Sequence, residues 1–218
     1  MKYKVARLSN EPEITNWCNQ KLETGNDWLP IKNFMGKRPE HFPQTEAKLG
    51  YDNDAVYVAF RVDDQYVLAT AQEHQDSVCR DSCVEFFFAP SADTSKGYFN
   101  LEMNCGGTML FHFQTIPRVD AIPIDAKDLN KIEVYHSMQK IIDPEISNTV
   151  LWEVAYRIPF NILKNYCETD MPATGVTWRA NFYKCADSTS HPHWLTWSPV
   201  DLPKPDFHQP DFFGILEF

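Results

Sequence analysis

Apolar and polar residues alternate with a period of two over most of the chain. In the segment from Ala55 to Arg61, the apolar residues Val56, Val58 and Phe60 are separated by residues that would face the other way. Successive side chains of a β-strand point to opposite faces, so this alternation predicts a strand with one face directed at a core. The same pattern recurs in the segments 83–88, 99–104, 109–113, 152–158 and 178–183.

Turn-forming residues separate these predicted strands. Residues 52–54 (Asp-Asn-Asp) join two strands, residues 90–97 are predicted to be a loop, and residues 105–107 (Cys-Gly-Gly) form a tight turn whose glycines can take positive φ. Many short strands separated by turns predict an all-β fold, namely a two-sheet antiparallel β-sandwich with one or two short helices.

Helical patterns are scarce. A short helix is predicted after Pro159, where a proline precedes several apolar residues, and a second helix is predicted between Glu13 and Leu22. The proline-containing stretches 116–130 and 188–209 are expected to be long surface loops.

Composition and charge limit the classes of partner. With 218 residues and 43% hydrophobic content, the chain is expected to form a single domain over residues 1–218. The formal net charge of -10 repels phosphate groups, so neither nucleic acid nor a membrane is an expected partner. The N-terminus lacks the apolar stretch of a signal peptide. We therefore expect a cytoplasmic monomer, or an extracellular or periplasmic one if an export segment has been removed.

The six cysteines have the spacing of neither a disulfide framework nor a zinc ribbon. Cys79 and Cys83 follow a Cys-x-x-x-Cys spacing that could indicate a redox or metal site. We expect them instead to be reduced thiols that pack as small hydrophobic groups.

Polar side chains occupy the non-core positions of several predicted strands. If these strands are neighbours, the side chains form one surface whose carboxylates, amides and guanidinium groups suit the vicinal hydroxyls of a sugar. Aromatic residues of the loop after residue 185 would cover the apolar face of the sugar ring. The candidate ligand-binding residues are Glu85, Asn100, Glu102, Asn104, Arg179, Asn181, Tyr183, Trp197 and His208, with His112 and Trp194 as further members.

Other interpretations of these residues stay open. A polar strand face can simply be solvated, Glu85 can pair with an arginine, Trp197 can pack beneath a loop and His208 can bind a loop carbonyl. The alternative function is a glycoside hydrolase that uses two carboxylates such as Glu85 and Glu102. The sequence shows no serine-nucleophile elbow, phosphate loop or dinucleotide fingerprint.

Seven segments, in this order, resemble the carbohydrate-binding modules of family 9, which are related to DOMON-type sandwiches. The resemblance runs over nearly the whole chain. The segments are KLGYD (48–52), VYVAFRVDD (56–64), DSCVEFF (81–87), YFNLEMN (98–104), WEV (152–154) followed by IP (158–159), RANFY (179–183), and FHQP (207–210) followed by FG (213–214).

This resemblance implies a β-sandwich that binds sugar without catalysis. Family members hold the end of a glycan, such as the plant polysaccharide xylan, between two tryptophans with the help of Glu, Gln, Asn and Arg side chains, and they carry structural calcium. The family's Asp-Ser-Val-Glu run matches residues 81–85 and places Glu85 in the site. The two tryptophan positions fall near Val78 or Cys79 and near Phe207 or His208.

The calcium expectation comes from the resemblance. The acidic pairs that could supply oxygen ligands lie in or near turns, and none has the spacing of an EF-hand loop. These pairs are Asp52 with Asp54, Asp63 with Asp64, and Asp201 with Asp206.

Overall fold

A computed structural model describes residues 1–22 and 28–218. The strands in this part of the chain are β1 (Lys2–Lys4), β2 (Ala6–Arg7), β3 (Leu29–Ile31), β4 (Asn33–Phe34), β5 (Gln44–Tyr51), β6 (Ala55–Asp64), β7 (Val67–Ala69), β8 (Cys83–Ala89), β9 (Tyr98–Asn104), β10 (Met109–Gln114), β11 (Ile122–Pro123), β12 (Glu133–His136), β13 (Ile142–Ile146), β14 (Val150–Pro159), β15 (Thr177–Cys185), β16 (Trp194–Thr196) and β17 (Gly214–Glu217). The α-helices there are α1 (Ile14–Trp17), α2 (Ala126–Leu129) and α3 (Phe160–Leu163), and single 3-10 turns lie at Val78–Arg80, Thr94–Lys96 and Pro210–Phe212.

Two sheets enclose the main core. The large sheet has the strand order β1-β17-β15-β8-β9-β10-β11, and β16 joins it by pairing with β15 and β4. The second sheet has the order β12-β14-β6-β5-β2, with β3 beside β5, while β7 and β13 form a separate pair. The edge pairs β1–β17 and β2–β5 are parallel, whereas the central pairs are antiparallel. The predicted two-sheet antiparallel β-sandwich is confirmed.

The core forms where the inner faces of the two sheets meet. Phe60 on β6 packs edge-on against Phe182 on β15, with ring centroids 6.0 Å apart. Phe182 also stacks on Phe86 of β8 at 4.9 Å. These aromatic side chains, like Val58 and Val84, are fully buried, and burying each one contributes about 1.5–3 kcal/mol. The period-two pattern therefore identified the core-facing positions of these strands correctly.

The outer face of the second sheet is also covered. Tyr57 and Ala59, on the side of β6 away from the main core, are fully buried beneath the N-terminal segment. Trp17 of α1 contacts the ring of Tyr57 at 5.8 Å. Periodicity alone had predicted only one buried face for this strand.

The predicted helices appear as α3, directly after Pro159, and as the short α1 within the segment from Glu13 to Leu22. The two proline-containing stretches contain more structure than expected. Strand β11 and helix α2 lie within residues 116–130, and β16 lies within residues 188–209. The strand β16 exists because its backbone pairs with β15 and β4, which local sequence cannot indicate. Among the described residues, no helix has the length and apolar character needed to cross a membrane.

A buried polar network links the two sheets. Nζ of Lys184 on β15 lies 3.4 Å from Oδ2 of Asp64 on β6 and donates to Nε2 of His193 at 2.9 Å. The carboxylate of Asp64 also accepts the indole N–H of Trp152 at 3.1 Å and contacts His41 at 2.7 Å. Burial alone would raise the pKa of Asp64, but the charge of Lys184 and these hydrogen bonds hold it well below its usual range.

Candidate functional site

The outer face of the large sheet carries a cleft of about 380 Å³. Its floor is set by strand register. Glu85 of β8 lies directly opposite Glu102 of β9, and Asn100 of β9 lies directly opposite His112 of β10. Direct partners in an antiparallel pair project to the same face, so these four side chains share one surface.

The walls of the cleft come from loops and from the strand β16. The segment before β8 supplies one wall, the loop after β10 a second, and the segments that follow β15 the rest. The lining residues are Ser77, Cys79, Glu85, Phe87, Asn100, Glu102, Leu110, His112, Gln114, Arg118, Ala121, Cys185, Asp187, Trp194, Pro205, Asp206, Phe207 and His208.

The two glutamates have altered acidities. Burial, followed by the repulsion of the neighbouring Glu102 carboxylate, raises the pKa of Glu85 well above its usual range. Burial likewise raises the pKa of Glu102 to about 7, against an opposing effect of its hydrogen bond with Asn100. At neutral pH the floor therefore presents a carboxylic acid that can donate a hydrogen bond, beside carboxyl oxygens that accept one.

A chain of hydrogen bonds orients the polar floor. The backbone N–H of Arg118 donates to Oε1 of Gln114 at 2.6 Å, and Nε2 of Gln114 donates to Oδ1 of Asn100 at 2.8 Å. Nδ2 of Asn100 then donates to Oε1 of Glu102 at 3.0 Å. Because each amide uses its oxygen and its nitrogen in this chain, the donors and acceptors that face the cleft are fixed before a ligand enters.

His208 closes one side of the cleft. Its Nδ1 lies 2.8 Å from the hydroxyl of Tyr98 and accepts from Nε2 of Gln114 at 3.2 Å. Burial, then the charge of Arg118, lowers the pKa of His208 to about 4. The ring is therefore neutral near pH 7, and with Nδ1 as acceptor its proton is on Nε2.

Aromatic groups also line the cleft. The indole N–H of Trp194 donates to Oδ1 of Asp187 at 2.8 Å, which fixes the half-buried ring at the edge of the cleft. Phe207 stacks on Tyr183 with ring centroids 4.1 Å apart. Aromatic faces next to hydrogen-bonding groups suit ligands that are apolar on one face and polar at the edge.

Four of the nine candidate residues line the cleft, namely Glu85, Asn100, Glu102 and His208. His112 and Trp194, the further candidates, line it as well. Their role in ligand binding stays a prediction, but the structure does bring them together.

The other five candidates lie outside the cleft lining. The guanidinium group of Arg179 donates to the carbonyls of Phe213 and Gly214. Trp197 is 1% exposed and packs against Phe182 in the main core. Both side chains have structural partners near β17: Arg179 binds the backbone at its start, and the ring of Trp197 lies against Gly214.

The remaining three are buried polar residues with protein partners. Asn104 accepts from the backbone N–H groups of Gly106 and Thr108, which closes the turn between β9 and β10. The side chain of Asn181 bonds both backbone groups of Ser198, at 3.0 and 2.8 Å. Tyr183 donates to the carbonyl of Phe207 at 3.1 Å and lies beneath that ring.

Several cleft residues were not among the sequence candidates. Alternation places Gln114 on the same face as His112, and Asp187 on the same face as Tyr183 and Cys185. The period-two pattern could therefore have included both among the candidate residues. Arg118 carried no such signal. Its place follows from the loop after β10, where its side chain pairs with Asp206 at 2.9 Å.

Three of the six aspartates considered for calcium have protein partners. Asp52 accepts from the backbone N–H groups of Asp54 and Ala55 and from the Tyr57 hydroxyl. Asp64 belongs to the buried Lys184 network, and Asp206 pairs with Arg118. These two carboxylates do not fit a site made of oxygen ligands around a cation, because cationic side chains occupy them. Calcium binding stays a prediction.

The fold and the cleft together define a β-sandwich binding module with a pre-formed polar site on one sheet. The chain belongs to carbohydrate-binding family 9, whose family model matches residues 19–218. No curated protein matches the chain significantly.

Solved structures resemble the whole chain. A "putative carbohydrate-binding protein" from Bacteroides uniformis ATCC 8492 is 27% identical, with a TM-score of 0.88 over 100% of this chain and 98% of that one. A family-9 module from Caldicellulosiruptor kristjanssonii in complex with glucose is 16% identical, with a TM-score of 0.62 over 100% and 95% of the two chains. The cellotriose complex of such a module from the same organism gives 16% identity and a TM-score of 0.63 over 100% and 93%. At 16% identity these modules show the shared fold.

Proposed function

We propose that this protein binds a mono- or oligosaccharide in the cleft without converting it chemically. The observation that carries the proposal is the hydrogen-bonded floor of Glu85, Glu102, Asn100 and Gln114 in a member of carbohydrate-binding family 9. The solved relatives that hold glucose and cellotriose support a saccharide of similar size.

The chemistry of the floor suits vicinal hydroxyls. Each sugar hydroxyl donates one hydrogen bond and accepts others, and the floor offers carboxyl oxygens, amide groups and an acidic proton on one surface. Trp194 supplies an aromatic face at the edge of the same cleft, where the apolar side of a pyranose ring would pack.

Isothermal titration calorimetry against glucose, cellotriose and xylan oligosaccharides, with and without calcium, tests this proposal. The wild type is expected to bind at least one of them, and Glu102→Gln is expected to weaken that binding at least tenfold. Glu40→Gln, the same chemical change at an exposed position outside the cleft lining, is the matched control and should bind like the wild type. Folded wild-type protein that binds no saccharide in a wider glycan array would overturn the proposal.

Glycoside hydrolysis is a second candidate function, and one observation favours it. Two buried carboxyl groups with raised pKa values lie on directly opposed residues of the cleft floor. Glycosidases use a pair of carboxyl groups whose acidities are set apart by their surroundings. Release of reducing sugar by the wild type, lost in both Glu85→Gln and Glu102→Gln, would establish hydrolysis, while binding without release would establish the noncatalytic function.

A further inference from the structure

Two cysteines and a glutamate meet at one end of the cleft floor. Cys83 of β8 lies directly opposite Cys185 of β15, and Glu85 follows two residues later on the same face as Cys83. All three side chains are buried, at 2% exposure or less. Their arrangement follows from strand register and not from a short sequence motif, because a hundred residues separate Glu85 from Cys185.

The ligand atoms of this cluster are close together. Sγ of Cys185 lies 3.1 Å from Oε1 of Glu85, and the two sulfurs and the carboxyl oxygen all lie within 4.8 Å of one another. Among the described residues, this is the one group of three or more His, Cys, Asp or Glu side chains with such spacing.

We propose that Cys83, Glu85 and Cys185 bind a thiophilic divalent cation of the Zn²⁺ type. Zinc takes sulfur at about 2.3 Å and carboxylate oxygen at about 2.0–2.2 Å in tetrahedral geometry, which sets ligand atoms roughly 3.5–4 Å apart. The cluster needs only small side-chain adjustments to reach that spacing. Calcium and magnesium would not compete, since they take oxygen ligands.

The fourth coordination position faces the cleft. Glu85 and Cys185 line the cleft, so a cation reaches them from solvent without opening the sheet. Cys79 lines the same end, and its backbone carbonyl lies 3.6 Å from Sγ of Cys185. The half-buried thiol of Cys79, a water molecule or a sugar hydroxyl would complete the tetrahedron.

Charge favours a cation at this place. Glu102 and Asp187 also line the cleft, and the whole chain carries a formal net charge of -10. Binding is an exchange of the cation for protons. The S–H bonds of Cys83 and Cys185 break, two metal–sulfur bonds form, and two protons leave to solvent with any proton that Glu85 carries. No oxidation or reduction is involved.

Titration with Co²⁺ under reducing conditions tests the site directly, because tetrahedral cobalt bound by thiolates absorbs strongly in the near ultraviolet and the visible. The full chain, stripped of metal and confirmed to carry free thiols, is expected to bind one equivalent, which Zn²⁺ then displaces. The double variant Cys83→Ser/Cys185→Ser should lose the thiolate absorption. Cys167→Ser, which removes a half-buried thiol outside the cleft lining, should retain it.

Two further readouts keep the test decisive. Cys79→Ser is expected to retain the thiolate bands, with lower affinity if Cys79 is the fourth ligand. Folding of each variant is checked by circular dichroism, and a wild type without absorption decides against the site whether or not the variants fold. Folded, reduced wild type without thiolate-to-cobalt absorption, or identical absorption in the double variant, would overturn the proposal. Neither outcome depends on sugar binding.

Discussion

Glu85 and Glu102 are direct partners in the antiparallel register of β8 and β9, and both are buried, at 2% and 6% exposure. Like charges placed directly opposite each other in a sheet are destabilising, and burial increases the effect. The surrounding donors offset it only in part, since the thiol of Cys185 and the amide of Asn100 each bind one carboxyl group. Stability is therefore reduced at the place where the cleft offers most of its polar groups, as is common at functional sites.

The first prediction concerns the pH dependence of stability in metal-free protein. The pKa of Glu102 is raised to about 7 in the folded state, above its unfolded value, so its contribution to stability is fully present below about pH 4.5 and is lost as pH rises through 7. Glu102→Gln removes this loss. Relative to the wild type, the variant should gain on the order of 2–3 kcal/mol in the free energy of unfolding between pH 5 and pH 8.

Urea unfolding at several pH values in the presence of a chelator measures this difference. Glu40→Gln is the control, and its unfolding free energy should follow that of the wild type across the range. If Glu102→Gln also tracked the wild type, burial would not raise the pKa of Glu102 in the folded state, and the prediction would be wrong.

The second prediction concerns Trp194. Its ring lines the cleft and is held by the hydrogen bond to Asp187. Trp194→Ala removes the aromatic face and should weaken saccharide binding about tenfold or more, whereas Trp194→Phe should weaken it less because a ring remains. Calorimetry with the saccharide that the wild type binds gives the comparison.

Trp28→Ala serves as the control for the loss of an indole. Trp28 contacts Lys48 and Arg61, on strands of the second sheet, so its removal should leave saccharide affinity unchanged. Unaltered binding by Trp194→Ala would mean that the sugar occupies another part of the cleft.

The alternation of side chains along each strand explains how much of the cleft could be predicted. On β8 and β9 the alternation identified Glu85, Asn100 and Glu102 as outward-facing, and the structure places them on one surface. Parity also placed Asn104 and Asn181 on that face, but each is used by a neighbouring backbone. These partners depend on the turn after β9 and on the path after β16, which local periodicity cannot show.

Other outward-facing positions were not predicted correctly because segments distant in sequence cover them. The second face of β6 is buried by Trp17, and the large sheet is covered in part by the segment around Phe207. Both contacts join residues far apart in sequence, so an outward-facing position cannot be classified as solvent, site or second core from its own strand. For Trp197 the sequence left both packing beneath a loop and a binding role open, and its packing against Phe182 depends on a contact that its own loop position does not show.

The third prediction concerns Gly214 at the start of β17. A Cβ atom there would lie 2.4 Å from the ring of Trp197, which is 1% exposed. Gly214→Ala should therefore lower the free energy of unfolding by about 1–3 kcal/mol, the usual cost of overpacking a core. The double variant with Trp197→Phe should recover part of this loss, since a smaller ring leaves space for the methyl group. Additive effects in urea unfolding of the single and double variants would contradict a direct clash.

The last prediction concerns the buried pair of Lys184 and Asp64, at 0% and 1% side-chain exposure. Lys184→Met keeps most of the side-chain volume but leaves the Asp64 carboxylate without its cation, which should cost about 3–5 kcal/mol. Asp64→Asn in the same chain removes the unpaired charge, so the double variant should be more stable than Lys184→Met alone. Lys4→Met, at an exposed position on β1, controls for the change in side chain and should alter stability by less than about 0.5 kcal/mol. If the double variant were instead less stable than Lys184→Met, the hydrogen bonds of the Asp64 carboxylate to Trp152 and His41 would outweigh the cost of its unpaired charge.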